Sequence, residues 1–240
     1  MSQMIVHTCF NNVSEHGYKS SILKSGICKY TRRNEKDKMR WCVMEMALFA
    51  NHPKGQGLVT NLINRLKILI MEELSFHEIA NTYYLLILLN LYDENRSECK
   101  YLYSFCDLAF ECKRNRYVSY QNNWWKYEEY KPLHLPLNQM KHYTVEGDSD
   151  ELVEVGETLL HYIENKDETM FSCLSKLRTL GDGGKRFKRK EAVYLWFSII
   201  QDYMKTPIKK YIFEFALQQF HKKHMTERYS FAVWIGIMVW

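Results

Sequence analysis

A chain of 240 residues that is 46% hydrophobic and 15% aromatic carries enough apolar surface for one large domain or two small ones. With only 10 Gly and 4 Pro it is neither collagen-like, linker-dominated nor a turn-rich all-β chain. A formal net charge of +5 permits a nucleic acid or another anionic surface as partner without requiring one.

Residues 1–18 are polar with weak periodicity and read as an N-terminal arm. A helical period begins at Ser20, with Ile22, Ile27, Cys28 and Tyr30 on one face of a helix ending near Arg33. A second helix carries Met39, Cys42, Val43, Met46, Ala47 and Ala50 at i, i+3, i+4, i+7 spacing. NHPKGQG at 51–57 is a turn by composition. The next helix starts near Leu58 and places Leu62, Ile63, Leu66, Leu69 and Ile70 on its apolar side. Ser75 stands at capping-box spacing from Glu78, which predicts a helix from Phe76 to about Leu91. YYLLILLNLY makes that helix apolar nearly all round, the pattern of a helix central to a core. Another helix follows over Lys100–Phe110.

Residues 114–147 break the pattern and hold two of the four prolines with many aromatics. They are too apolar for a disordered linker and read as an ordered loop anchored by Trp124, Trp125, Tyr127 and Tyr130. Helices resume over 148–164, 167–180, 191–204, 207–223 and 227–240. The fold class is therefore all-α, a bundle of about nine or ten helices with an aromatic-rich irregular loop. Its organisation is an arm at 1–18, a helical region at 19–113, the loop at 114–147 and a C-terminal helical region at 148–240. The apolar end FAVWIGIMVW, ten residues long, is short of the about 20 a bilayer helix needs and reads as a last core helix or one packed into a partner.

The seven cysteines form no CxxC pair, and no secretory signal pattern precedes Cys9. Reduced thiols in a cytoplasmic or nuclear compartment are expected. Cys99, Cys106 and Cys112 with His77 match no compact zinc spacing. GDGGK at 181–185 lacks the Ser or Thr and the preceding strand of a phosphate-binding loop, and reads as a helix-ending glycine followed by a basic turn. HKKH at 221–224 has no usual zinc spacing. The neighbouring carboxylates Glu72-Glu73, Glu128-Glu129 and Asp148/Asp150 point apart on a helix and make no acid/base dyad. No catalytic residue, metal or cofactor is assigned, and the chain is expected to be non-enzymatic.

Charge carries the functional signal. Lys24, Lys29, Arg32, Arg33, Lys36, Lys38 and Arg40 face only Glu35 and Asp37, a local surplus of five that equals the formal charge of the whole chain. A second cluster, Lys185, Arg186, Lys188, Arg189 and Lys190, has the composition of a phosphate-contacting strip or a nuclear-import address. Cations at a helix N-terminus oppose the macrodipole, so that placement points to a use beyond folding.

Lys24-Ser25 with Arg32-Arg33, then Met39-Arg40-Trp41-Cys42-Val43-Met44-Glu45-Met46, then Leu62 to Leu74 (LINRLKILIMEEL) after a Gly-containing break, follow one another in a distinctive order. In that order and spacing the stretch Leu23–Leu91 resembles the C-terminal helical region of MgsA/RarA-type AAA+ ATPases, relatives of clamp loaders that act at stalled replication forks. The resemblance implies a collar-like helical fold for 19–113 and an association with DNA transactions or oligomer formation. It does not carry ATP hydrolysis: Walker A and B motifs are lacking, Leu23 leaves no room before it for the ATPase module, and Ser75 replaces the motif's final Gly. A free-standing domain of this sort, in an Asn/Lys/Ile/Tyr-rich chain, resembles a large-DNA-virus or phage protein.

The sequence thus leads to a DNA-associated accessory factor of replication or repair type, intracellular or virion-borne. Its expected phosphate contacts are Lys29, Arg32, Arg33, Lys36 and Arg40, joined by Lys185, Arg186, Lys188 and Arg189. The alternative is a virion or assembly protein whose interfaces, to a protein partner or a second copy, use Trp124, Trp125, Trp234 and Trp240.

Overall fold

The computed structural model describes residues 13–52, 54–74, 78–135, 140–181, 191–222 and 228–240. Among them the chain is all-helical, with eleven α-helices and a single isolated bridge between Val13 and Lys19 in place of any strand. It divides into two compact units, Met1–Arg116 and Tyr117–Trp240.

In the first unit, α1 (Ser20–Arg32) and α2 (Lys36–Ala47) form a tight helical hairpin. α3 (Gln56–Leu69) packs on both and runs directly into a π-helical turn, Ile70–Leu74. α4 (Ile79–Glu94) and α5 (Lys100–Glu111) form a second hairpin, in which α5 packs on α2. Leu23, Ile27, Met39, Val43, Met46, Leu62, Leu66, Leu89 and Phe105 make the core. The positions that the helical period marked on α2 and α3 are buried, whereas on α1 only Ile27 is: Ile22 is 58% exposed, Cys28 and Tyr30 are partly exposed, and Leu23 takes the core position instead.

The sequence places α4 at the centre of a core, and the structure differs. Only Thr82, Leu85, Leu86, Leu89 and Tyr92 are buried, Ile87, Leu88 and Leu91 are partly exposed, and Tyr84 is exposed. A helix with two helical neighbours buries one face whatever the composition of the other. Ser75, the expected cap, lies outside the described residues, and α4 begins at Ile79.

The second unit contains α6 (Tyr117–Trp124), α7 (Asp150–Glu164), α8 (Met170–Gly181), α9 (Tyr194–Tyr203), α10 (Pro207–Phe220) and α11 (Arg228–Ile237). Two starts obey local capping chemistry. The Ser149 hydroxyl accepts from Leu152 N–H at 3.2 Å, and the Thr206 hydroxyl accepts from Lys209 N–H at 3.2 Å with Pro207 at the first helical position. α6 lies where an irregular loop was expected, and buries Val118 and Gln121. α11 is central: it packs against α6, α8, α9 and α10, and every residue from Phe231 to Ile237 is buried. From Phe231 to Met238 the apolar tail is thus interior to its own unit. The Lys209 ammonium donates to the Met238 carbonyl at 2.7 Å, closing the negative end of α11.

Candidate polyanion-binding surface

The last turn of α1 holds Lys29 and Arg32, cations that the negative end of the helix dipole favours. The helix stops in a Schellman turn. Asn34 N–H donates to Thr31 O at 3.1 Å, and Glu35 N–H donates to Tyr30 O at 2.9 Å. Asn34 sits at φ 60°, a left-handed conformation that Asn tolerates better than most residues. Its Oδ1 then accepts from Arg114 Nη2 at 3.0 Å. Asn34→Ala is expected to lose about 1 kcal/mol in urea unfolding, and Asn34→Gly only a few tenths, because glycine keeps the turn and sacrifices the Arg114 contact alone.

The π turn after α3 positions Glu73. Its side chain is 1% exposed, and Oε1 accepts from Arg32 at 2.7 Å (Nε) and 2.5 Å (Nη2). Arg116 Nε lies 3.7 Å from the same oxygen, and Asn115 N–H donates to the Glu73 carbonyl at 3.0 Å. The stretch 113–116 is therefore pinned to both the α1–α2 turn and the π turn. Arg65 joins from α3, its guanidinium 3.9 Å from Cys28 Sγ. Burial raises the Cys28 thiol pKa, against the opposing pull of Arg65.

These contacts bring Arg32 and Arg116 onto Glu73, Arg65 onto Cys28 of α1 and Arg114 onto Asn34, with Lys29, Arg33 and Lys113 beside them along the chain. Lys29, Arg33 and Lys113 are exposed and form no ion pair with a described residue. The guanidinium of Arg114 lies over the Phe110 ring at 4.9 Å, a contact that fixes its plane. Glu78 and Glu111 act on Cys112 together with Arg114, so the acids of this surface are Glu72, Glu73, Glu78 and Glu111, and the seven cations still outnumber them.

The first basic cluster of the sequence is therefore divided. Lys36 Nζ lies 2.7 Å from Asp107 Oδ1, and Arg40 binds that same oxygen while its guanidinium stands 5.9 Å from the Tyr103 ring. The Lys36 hydrogen bond foremost, with Arg40 acting the same way against slight burial, holds the Asp107 carboxyl below the usual range. Lys36 and Arg40 tie α2 to α5, and Lys38 pairs with Glu35. Asp107 is 67 residues from Arg40, so the match is invisible in a local reading of charge. Arg65, Lys113, Arg114 and Arg116 are absent from the expected contacts: KRNR at 113–116 is a readable basic run, but it straddles the expected start of the aromatic stretch at 114.

Lys185, Arg186, Lys188 and Arg189 lie outside the described residues, as do Lys190 and His77. Of the four tryptophans expected at interfaces, Trp125 and Trp234 are buried at 1% exposure. They serve the interior of the second unit. Trp124 is exposed, and Trp240 is half-exposed with its indole N–H 3.4 Å from the Ile163 carbonyl. Burial pushes Cys42 and Cys112 up to about 11 and Cys106 up to about 12, so these thiols stay protonated and are poor nucleophiles. No group of three His, Cys, Asp or Glu side chains arranged to hold a metal occurs among the described residues, and no helix among them is long and apolar enough to cross a membrane. Compared with models of protein families, with curated proteins and with solved structures, the chain matches none, and the resemblance to the AAA+ helical region rests on the residues quoted above.

Proposed function

We propose that this protein is a non-enzymatic, DNA-associated accessory factor that holds the phosphate backbone through Lys29, Arg32, Arg33, Arg65, Lys113, Arg114 and Arg116. The observation that carries the reading is the shared carboxylate: Arg32 and Arg116 converge on Glu73, drawing two separate basic runs onto one surface. Phosphate contacts of this kind supply affinity and orientation without sequence preference. The test is a salt titration of binding to duplex and single-stranded oligonucleotides of mixed sequence. With about four phosphates engaged, affinity should fall about 150-fold between 50 and 200 mM salt, with equal losses for unrelated sequences. A flat response removes the reading.

A second reading, an assembly component, is favoured by one observation. Tyr120 and Trp124 form an exposed ring pair 5.7 Å apart on α6, and Tyr127 beyond it is 81% exposed. Aromatic side chains are enriched at interface hot spots. Light scattering on the purified chain separates the two: a monomer unaffected by Trp124→Ser leaves this second reading without support.

A further inference from the structure

Tyr18 and Trp41, in the first unit, are large aromatic side chains left 44% exposed each. Their rings meet edge to face, with centroids 4.9 Å apart and planes at 81°. In that arrangement the edge of one ring covers one face of the other, and the remaining ring surface lies open to water. The pair is held from both sides. Trp41 stands on α2. Tyr18 closes a turn in which Ser14 N–H donates to Tyr18 O at 2.7 Å and Gly17 takes φ 88°, a conformation that glycine adopts freely. Glu45, one turn after Trp41, fastens this turn to α2: its carboxylate, 2% exposed, accepts from His16 N–H at 3.1 Å and lies 2.7 Å from His16 Nδ1. Tyr and Trp side chains on a fastened backbone lose little entropy when a ligand orders them.

One side of α1 leads from this pair to the cations. Ile22, Gly26, Lys29 and Arg33 stand at i, i+4, i+7 and i+11 and so share that side. Gly26 marks where α2 closes on it, since a Cβ there would lie 2.9 Å from Sγ of Cys42, the neighbour of Trp41. Ile22, four residues after Tyr18, is exposed. Lys29 and Arg33, at the other end, are exposed cations of the polyanion-binding surface. Apolar and aromatic surface thus passes into positive charge over about 16 Å of helix.

We propose, resting on the phosphate-binding reading above, that Tyr18 and Trp41 are a base-stacking platform for single-stranded nucleic acid. In a duplex the base faces are covered by their neighbours. A single strand can turn a base out onto a protein ring while its phosphates follow the cations. An open ring face serves every base, so the platform adds affinity with little sequence choice. Charge favours this ligand over a protein chain. Around the patch Lys19, Lys29 and Arg33 outnumber the exposed acids Glu15 and Asp37, while Lys38 and Glu35 pair with each other. Lysine is depleted in the cores of protein interfaces, whereas a phosphate backbone is matched by it.

Equilibrium binding of the full chain at one fixed salt concentration tests it, with a single-stranded oligonucleotide, its duplex and an abasic strand of the same length as probes. The single strand should bind about tenfold more tightly than the abasic strand, which carries the same phosphates without bases. Trp41→Ala should remove about that factor for the single strand and leave the duplex and the abasic strand within about twofold of the parent. Unchanged duplex binding also shows that the variant is folded. Trp41→Phe, which keeps a ring, should retain most of the single-strand affinity. Equal affinity for the single and abasic strands, or Trp41→Ala with parental single-strand affinity, would overturn the platform and leave the phosphate-binding reading standing. No saturable binding of any of the three probes removes both. Trp41→Ala that alters only the mass seen by light scattering would overturn the platform in favour of a protein contact.

Discussion

Replacing Arg32 with Ala should lower stability by about 2–3 kcal/mol, a loss measurable by urea unfolding. Glu73 is the reason. Its carboxylate is 1% exposed, and the substitution leaves it only the Arg116 guanidinium at 3.7 Å. Breaking a buried pair from one side typically costs 3–5 kcal/mol, because the remaining charge stays desolvated. Arg32 is itself 39% exposed and Arg116 still lies within reach, so the loss falls at or below the bottom of that range, at about 2–3 kcal/mol. Arg32→Lys keeps the charge but not the two-nitrogen contact, and should fall between the parent and Arg32→Ala. The double variant Arg32→Ala, Glu73→Ala should be more stable than Arg32→Ala alone, since it removes the stranded carboxylate, and a double-mutant cycle measures the difference. Stability lost in this way is distinct from lost binding, so Arg32 is the wrong position at which to test function.

Gly236→Ala sets two opposing effects against each other. Alanine is favoured over glycine in a helix by about 1 kcal/mol. A Cβ at position 236, however, meets Trp196 Cζ2 at 2.5 Å and Phe171 Cε1 at 3.0 Å. Both rings are fully buried and packed together at a centroid distance of 5.8 Å, so neither has room to retreat. Displacing Trp196 also strains its indole hydrogen bond to the Ala232 carbonyl, 3.1 Å long. Overpacking of about 1–3 kcal/mol with part of a hydrogen bond lost exceeds the propensity gain, and a net loss of about 2 kcal/mol is expected in thermal or urea unfolding. Gly57→Ala supplies the control. It lies in the first turn of α3 with nothing within 4 Å of its added Cβ, and should stabilise by about 0.5–1 kcal/mol.

The periodic stripes of Met39–Met46, Leu58–Leu69 and Leu152–Ile163 were readable because each helix buries one face and the spacing records which. The helix start at 207 followed from the apolar pattern, and the Thr206 cap with Pro207 at the first helical position accounts for it within one turn. α6 was not readable, because eight residues ending on Trp124 give too short a period to separate from irregular chain. α4 read as apolar nearly all round and α11 as a last core helix or one packed into a partner, yet α11 is enclosed by four helices while α4 keeps a partly exposed side. Composition does not say how many neighbours a helix has. The surface itself was half legible. Arg32 and Arg33 stood out as local charge, but only folding brings Glu73 and Arg116 to Arg32 and Asp107 to Lys36 and Arg40.

That division is the centre of the account, and one comparison tests it. The double variants Arg33→Gln, Arg114→Gln and Lys36→Gln, Arg40→Gln each remove two cations, one pair from the excess surface and the other from the Asp107 tie. Measured against duplex DNA across a salt series, the first should weaken binding tenfold or more at low salt and reduce the salt slope by about 1.8, while the second stays within twofold of the parent with its slope unchanged. Equal losses from the two variants, or a larger loss from the second, would contradict the account.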